Sequence, residues 1–149
     1  MKSELAAARV RRLPTWLLMR SALTAQQLVA ASLAVVDAHR YHYSMLSALE
    51  EFGPMSQAEL GLRCGLDRSD TSAAVTDLAE RTLVARDPDP DDRRRNVVAV
   101  TPDGIAHLQR LDAVVADAQD ELLAALSADE RRLLTDLLTR LVDSSPSEP

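Results

Sequence analysis

Ser56-Gln57-Ala58-Glu59-Leu60-Gly61-Leu62-Arg63-Cys64-Gly65-Leu66-Asp67-Arg68-Ser69 holds two helix starts with one helix stop between them. Ser56 and Glu59 have the Ser-x-x-Glu spacing of a capping box, in which hydroxyl and carboxylate each satisfy a backbone N–H that has no helical partner. A helix over about 57–63 follows. Gly65 suits the left-handed residue that closes such a helix, and Asp67 offers a new N-cap only two residues on. The reading is a tight helix-turn-helix. Its second helix, about 68–81, buries Ala74, Val75 and Leu78 and leaves Arg68, Ser69, Thr71, Ser72 and Thr76 on its surface, where small polar side chains allow close approach by a partner.

Downstream, Leu83-Val84-Ala85-Arg86 and Asn96-Val97-Val98-Ala99-Val100 are short β-prone runs. Between them stand Asp87-Pro88-Asp89-Pro90-Asp91-Asp92 and the triplet Arg93-Arg94-Arg95, so the pair reads as a hairpin with a long, charged, proline-stiffened tip. Thr101-Pro102-Asp103 supplies an N-cap, a first-turn proline and an acid favoured by the helix dipole, opening a long helix with Ile105, Leu108, Leu111, Val115, Leu122 and Leu126. Ser127 and Glu130 form a second capping box. The helix after it carries Leu133, Leu134, Leu137, Leu138, Leu141 and Val142, an apolar stripe wide enough to need a partner. Residues 144–149 read as a disordered tail.

Upstream, Trp16, Leu17, Leu23, Leu28, Leu33 and Val36 recur at near-helical spacing behind Pro14, which predicts a long first helix over 13–36. A polar break over 37–40 precedes a shorter amphipathic segment with Tyr43, Leu46, Leu49 and Phe52, ended by Gly53-Pro54. The fold class is therefore mostly α with a small β-hairpin (α+β).

The chain has 149 residues, enough for one domain with a real core, and its 46% apolar and 27% charged residues match a soluble globular protein. Cys64 is the single cysteine, which excludes an intrachain disulfide or a Cys-rich zinc framework and fits a reducing, cytoplasmic setting. No apolar stretch approaches the roughly 20 residues of a membrane span, so no membrane partner is expected. The net charge of −6 is unevenly spread. Residues 1–40 hold six basic against two acidic side chains, 41–100 seven against eleven, and 101–149 four against ten. Every base in the middle segment is an arginine, so a local positive feature stands on an acidic background.

The order of helix, helix, turn, helix and charged hairpin resembles a winged helix-turn-helix, and the sequence resembles the MarR family of bacterial transcriptional regulators. The resemblance is carried by Gly53-Pro54-Met55-Ser56-Gln57-Ala58-Glu59-Leu60, by Leu66-Asp67-Arg68-Ser69 and by Leu78-Ala79-Glu80-Arg81. It continues through the run from Leu83 to Arg95 and through Val100-Thr101-Pro102-Asp103-Gly104, with long helices placed alike on both sides. It implies a winged helix-turn-helix over 40–104 that binds double-stranded DNA, and long N- and C-terminal helices, over 1–38 and 105–143, that form a homodimer. It also implies that the 68–81 helix enters the major groove while the hairpin tip reaches an adjacent minor groove. Half-sites on an inverted repeat would then lie about 10 base pairs apart.

The DNA-contacting set expected on this basis is Ser56, Arg68, Ser69, Asp70, Thr71, Ser72, Thr76, Arg86, Asp92, Arg93, Arg94 and Arg95. In the family pattern Asp-x-Arg, here Asp92 and Arg94, the carboxylate holds the guanidinium that is inserted into the minor groove. Arg93 and Arg95 are then phosphate contacts or alternates, and Arg86 reaches phosphate or pairs with a wing aspartate. Asp70 has three readings: a cap at the start of its helix, an acceptor from a cytosine amino group, or a charge that repels phosphate. Thr82 stands where the family usually has glycine, so the turn after the 68–81 helix is expected to differ locally. The expected dimer contacts are Leu133, Leu134, Leu137, Leu138 and Leu141.

Family pockets for small phenolic or other aromatic effectors bring Trp16, His39, Tyr41, His42, Tyr43 and His107 into range, although ordinary core or surface histidines fit the same spacing. Asp37 with the histidines makes a metal set imaginable, but no metal or cofactor is expected. Cys64 reads as a small buried side chain rather than a redox switch. An enzyme is not expected, for lack of a Gly-rich phosphate loop, a nucleophile elbow or a clustered metal set. The competing reading is a winged helix that serves protein interaction and has lost DNA binding, which the negative net charge would suit. A positive face formed by Arg68, Arg86 and Arg93 to Arg95 separates the two.

Overall fold

The computed structural model describes residues 6–145. Its elements are α1 (Ala8–Arg11), α2 (Pro14–Val35), α3 (Arg40–Phe52), β1 (Met55–Ser56), α4 (Gln57–Arg63), α5 (Arg68–Glu80), β2 (Val84–Pro88), β3 (Asn96–Val100), α6 (Pro102–Leu122) and α7 (Ala128–Ser144). The caps explain most of these bounds. Ser56, Asp67, Thr101 and Ser127 each accept the backbone N–H three residues ahead, and the side chain of Glu130 completes the box by accepting from Ser127 N–H. The box at Ser56 is only half made: the Glu59 carboxylate turns to Arg63 instead, at 2.9 Å.

The sheet is antiparallel with strand order β1-β3-β2, and Val98 at its centre faces both Met55 and Arg86. The two-residue strand β1 was not anticipated. It sits where α3 turns into α4 and ties the base of the hairpin to the helix-turn-helix. The core gathers Met45, Leu46 and Leu49 of α3, Leu60 of α4, Val75 and Leu78 of α5, Val84 and Val98 of the sheet, and Leu108 and Leu111 of α6, closed by Leu33 of α2. It lies beneath the helix-turn-helix and leaves the outer sides of both long terminal helices uncovered. Leu17, Leu18, Met19 and Leu23 of α2 are exposed, and α7 buries no residue at all.

Two close approaches hold the helix-turn-helix and the hairpin. A Cβ on Gly61 would overlap the Thr71 side chain, so α4 and α5 touch where glycine makes room. A Cβ on Gly104 would overlap the Leu83 carbonyl oxygen, so the first turn of α6 lies directly on the entry to the wing.

The structure departs from four expectations. Thr71 is not on the surface of α5: it is 3% exposed and donates to the Asp67 carbonyl at 2.6 Å. Thr82 does take the left-handed conformation, at φ 61, so the turn keeps its usual form. Leu83 N–H bonds to the Leu78 carbonyl and Thr82 N–H to that of Ala79, a Schellman closure whose strain of about 1 kcal/mol the β-branched residue accepts. Ser144 belongs to α7, so a tail begins no earlier than Ser145, and residues 146–149 lie outside those described. The supposed break at 37–40 ends at His39, which is the N-cap of α3.

Candidate nucleic-acid interface

α5 presents Arg68, Ser69, Ser72, Ala73 and Thr76 on its outer side, lining a shallow groove with Asp77 and Glu80. A second groove of 780 Å³ runs between α4, α5 and the wing, lined by Ser56, Gln57, Gly61, Leu62, Arg68, Thr71, Arg94, Arg95 and Asn96, among others. Arg68 flanks both grooves, so the arginines of α5 and of the wing meet on one continuous surface. Arg86 joins it from β2 by donating to Thr76 Oγ1 at 3.2 Å, a bond that also fixes the wing to the outer side of α5. Arg93 is exposed at the tip. Asp70 is exposed in the first turn of α5, where its charge suits the helix dipole, while the cap itself is made by the Asp67 carboxylate at 2.7 Å.

The wing tip is a knitted turn. Asp89 N–H bonds to the Arg95 carbonyl and Arg95 N–H to that of Asp92, while the Asp89 carboxylate accepts from Asp91 N–H. The expected grip of Asp92 on the Arg94 guanidinium is not what forms. One Asp92 oxygen accepts from the Arg94 backbone N–H at 3.0 Å, and the other lies 3.6 Å from Arg95 Nε. Backbone N–H groups two residues ahead are the natural partner of an Asp in a turn, and this choice leaves the Arg94 side chain free to reach outward.

The six residues expected around an effector divide. His42 is buried and its Nε2 lies 2.8 Å from Asp77 Oδ2, which makes it part of the packing between α3 and α5 rather than an open pocket wall. Tyr43 reaches α6, donating its hydroxyl to Asp112 at 2.9 Å; burial first, and this bond second, push its ionisation up. His39 and Tyr41 pack ring against ring at 4.6 Å between centroids, tilted by 46°, with the Arg40 guanidinium over the Tyr41 ring. His107 sits beside Arg110, and its Nε2 is buried with no hydrogen-bond partner. Trp16 is half-buried on α2. Among the described residues no group of three His, Cys, Asp or Glu side chains is placed to hold a metal. Burial pushes the Cys64 thiol up, away from the reactive thiolate. Sequence reasoning missed the pairing of Asp77 with His42 and of Arg81 with Asp37, because each partner is more than thirty positions away and no local spacing links the two.

The exposed leucines expected at a dimer contact are where the stripe placed them. Leu133, Leu137, Leu138 and Leu141 are all exposed, Leu134 is half-buried, and Arg131 anchors the start of α7 to Asp120 at 2.7 Å and to the Leu123 carbonyl. No single helix among the described residues is long and apolar enough to cross a membrane.

Residues 37–95 match the MarR family model. The transcriptional repressor NicR of Pseudomonas putida is 35% identical over 99 residues, which span 66% of this chain and 63% of NicR. The curated relatives are thus matched over just under two thirds of their own length. The PcaV transcriptional regulator of Streptomyces coelicolor, solved with its natural ligand, superposes with a TM-score of 0.75 at 30% identity, covering 95% of this chain and 100% of that one. BpsR of Bordetella bronchiseptica, whose DNA binding is regulated by 6-hydroxynicotinic acid, shares the fold at a TM-score of 0.78 and 21% identity, over 94% of this chain and 100% of its own. The chain belongs to the MarR family of transcriptional regulators.

Proposed function

We propose that this protein is a sequence-specific DNA-binding transcriptional repressor, cytoplasmic and without enzymatic activity, that acts as a homodimer on an inverted-repeat operator. The observation that carries this reading is the meeting of Arg68, Arg94 and Arg95 around one groove, continued by Arg86 and the small polar side chains of α5. On a chain of net charge −6, so local a positive surface fits a phosphate-lined partner better than a general protein contact. Residues 40–104 form the DNA-reading part, with α5 in the major groove and Arg94 in the minor groove. Residues 1–38 and 105–143 form the dimerisation part, since the leucines of α7 and the outer side of α2 have no cover in one chain.

A small aromatic effector is the second half of the reading. Tyr41, His39 and His107 supply rings and ring nitrogens near the start of α3, where His39 and His107 both lie close enough to His42 to act on its charge. Trp16 stands apart, in the first turn of α2 and about 25 Å along that helix from Leu33. PcaV, similar over its whole length, has a natural ligand. Selection of bound duplexes from random-sequence DNA tests the central reading. Enrichment of an inverted repeat with half-sites about 10 base pairs apart is expected, and recovery of unenriched DNA refutes it.

A further inference from the structure

The C-terminus of α5 is bolted to the end of α2 through one arginine. Arg81, the C-cap of α5, donates from Nη1 to the Asp37 carbonyl at 2.5 Å and lies 3.5 Å from the Asp37 carboxylate. Its Nε lies 3.1 Å from Asp77 Oδ2, one turn back on α5. Asp37 is the left-handed residue, at φ 53, that closes α2, with Ala38 N–H returning to the Leu33 carbonyl. The bolt therefore joins the end of the uncovered helix α2 to the helix that faces DNA.

The same Asp77 oxygen is shared with His42. His42 Nδ1 accepts from His39 N–H at 3.2 Å and so carries no proton, which leaves its Nε2–H to donate to Asp77 at 2.8 Å. A neutral imidazole satisfies both neighbours, and burial, with Arg81, His39 and His107 around it, holds the ring below the usual histidine range against the pull of Asp77. A proton arriving on Nδ1 would meet the His39 N–H head on and place a second cation across one carboxylate oxygen from Arg81. Asp37 faces the same cluster from the α2–α3 turn, and His107, with Arg110 beside it, from α6.

We propose that Asp77 and Arg81 lock the DNA-facing helix to the end of α2, and that His42 is a proton-operated latch on this lock, holding when neutral and releasing when protonated. The role of Arg81 is positioning: it acts on DNA through the angle of α5. The proposal rests on the DNA-binding reading for its effect, but the lock itself can be measured without DNA.

The test compares affinity for a selected operator with that for a scrambled duplex, because acidification strengthens binding to any duplex by making the protein less negative. For the intact chain that ratio should fall roughly tenfold between about pH 7.5 and about pH 5.5, a change equivalent to one pH unit of proton coupling. In His42→Gln, which keeps a donor toward Asp77 and does not titrate, the ratio should not change with pH. Arg81→Lys keeps the charge but cannot reach Asp77 and Asp37 together, and should lower the ratio already at the higher pH. In parallel, spin labels at Gln27→Cys on α2 and Ser72→Cys on α5, in a Cys64→Ser background diluted with unlabelled chain, report the α2–α5 distance without DNA. The distance distribution should broaden on acidification and stay narrow when His42→Gln is added. A flat ratio in the intact chain, a pH dependence that survives His42→Gln, or identical distance distributions at both pH values overturns the latch. If no duplex is bound selectively at either pH, the DNA reading fails, and the distances alone decide the lock.

Discussion

Asp92 accepts a hydrogen bond from the backbone N–H of Arg94 at 3.0 Å, so the residue that shapes the wing tip acts on Arg94 through its main chain and not through its guanidinium. Asn can make the same bond, and Ala cannot. On a selected operator, Asp92→Asn should therefore keep most of the specific affinity while Asp92→Ala loses more of it. Arg94→Ala should cost about 1–3 kcal/mol. Fluorescence anisotropy with the three variants checks the order. Equal losses for Asn and Ala would mean that the carboxylate charge, not the turn, is what matters.

Gly104 lies against the Leu83 carbonyl oxygen, a backbone atom that cannot swing aside. Gly104→Ala must push α6 off the base of the wing, and overpacking of this kind costs about 1–3 kcal/mol. Urea unfolding should show the loss at an unchanged slope. A neutral substitution would show that the contact is looser than the backbone geometry implies.

Stability should fall on mild acidification. His42 and His107 are both held below the ordinary histidine value of 6.5, in each case chiefly by burial. The unfolded chain therefore takes up protons first as pH drops through that value, and the folded state loses ground until it protonates as well. Above the ordinary value both states are neutral there and these two groups contribute no slope. Thermal melts from about pH 8 to about pH 5 should show a plateau and then a decline, smaller in His42→Gln. A melting temperature that rises as the pH falls below 6.5 would contradict the burial of both rings.

The leucines of α7 predict a concentration-dependent assembly. Each exposed leucine gains roughly 2 kcal/mol when fully covered, so Leu137→Glu with Leu141→Glu should remove several kcal/mol from a dimer while leaving the core of one chain untouched. Light scattering should give a dimer for the intact chain and a folded monomer for the variant. An unchanged mass would place the interface elsewhere.

Much of this was legible in the sequence wherever a local motif decides the outcome. The bounds of α4 and the start of α5 followed from Ser56, Gly65 and Asp67 because a cap is a contact between residues three apart. The exposed stripe of α7 followed from helical periodicity for the same reason. What escaped depends on residues far apart in the chain. Strand β1 exists only because Met55 and Ser56 meet Val98 and Val97. Thr71 is buried because Gly61, on another helix, has no side chain there. By spacing alone His42 resembles a pocket residue, and it is Asp77, 35 positions on and 2.8 Å away, that makes it part of the packing. At the wing tip Asp92 has two kinds of partner within reach, and spacing alone does not choose the backbone over the guanidinium.

The most direct test of the account is titration of the protein, intact and as Arg94→Ala, against a selected operator and its scrambled counterpart at low and at physiological salt. The operator should be preferred at both salts, typically by 10³-fold or more. Affinity for both duplexes should drop steeply with salt, and Arg94→Ala should narrow the preference. Equal affinity for the two duplexes, or binding indifferent to both salt and Arg94, would contradict it.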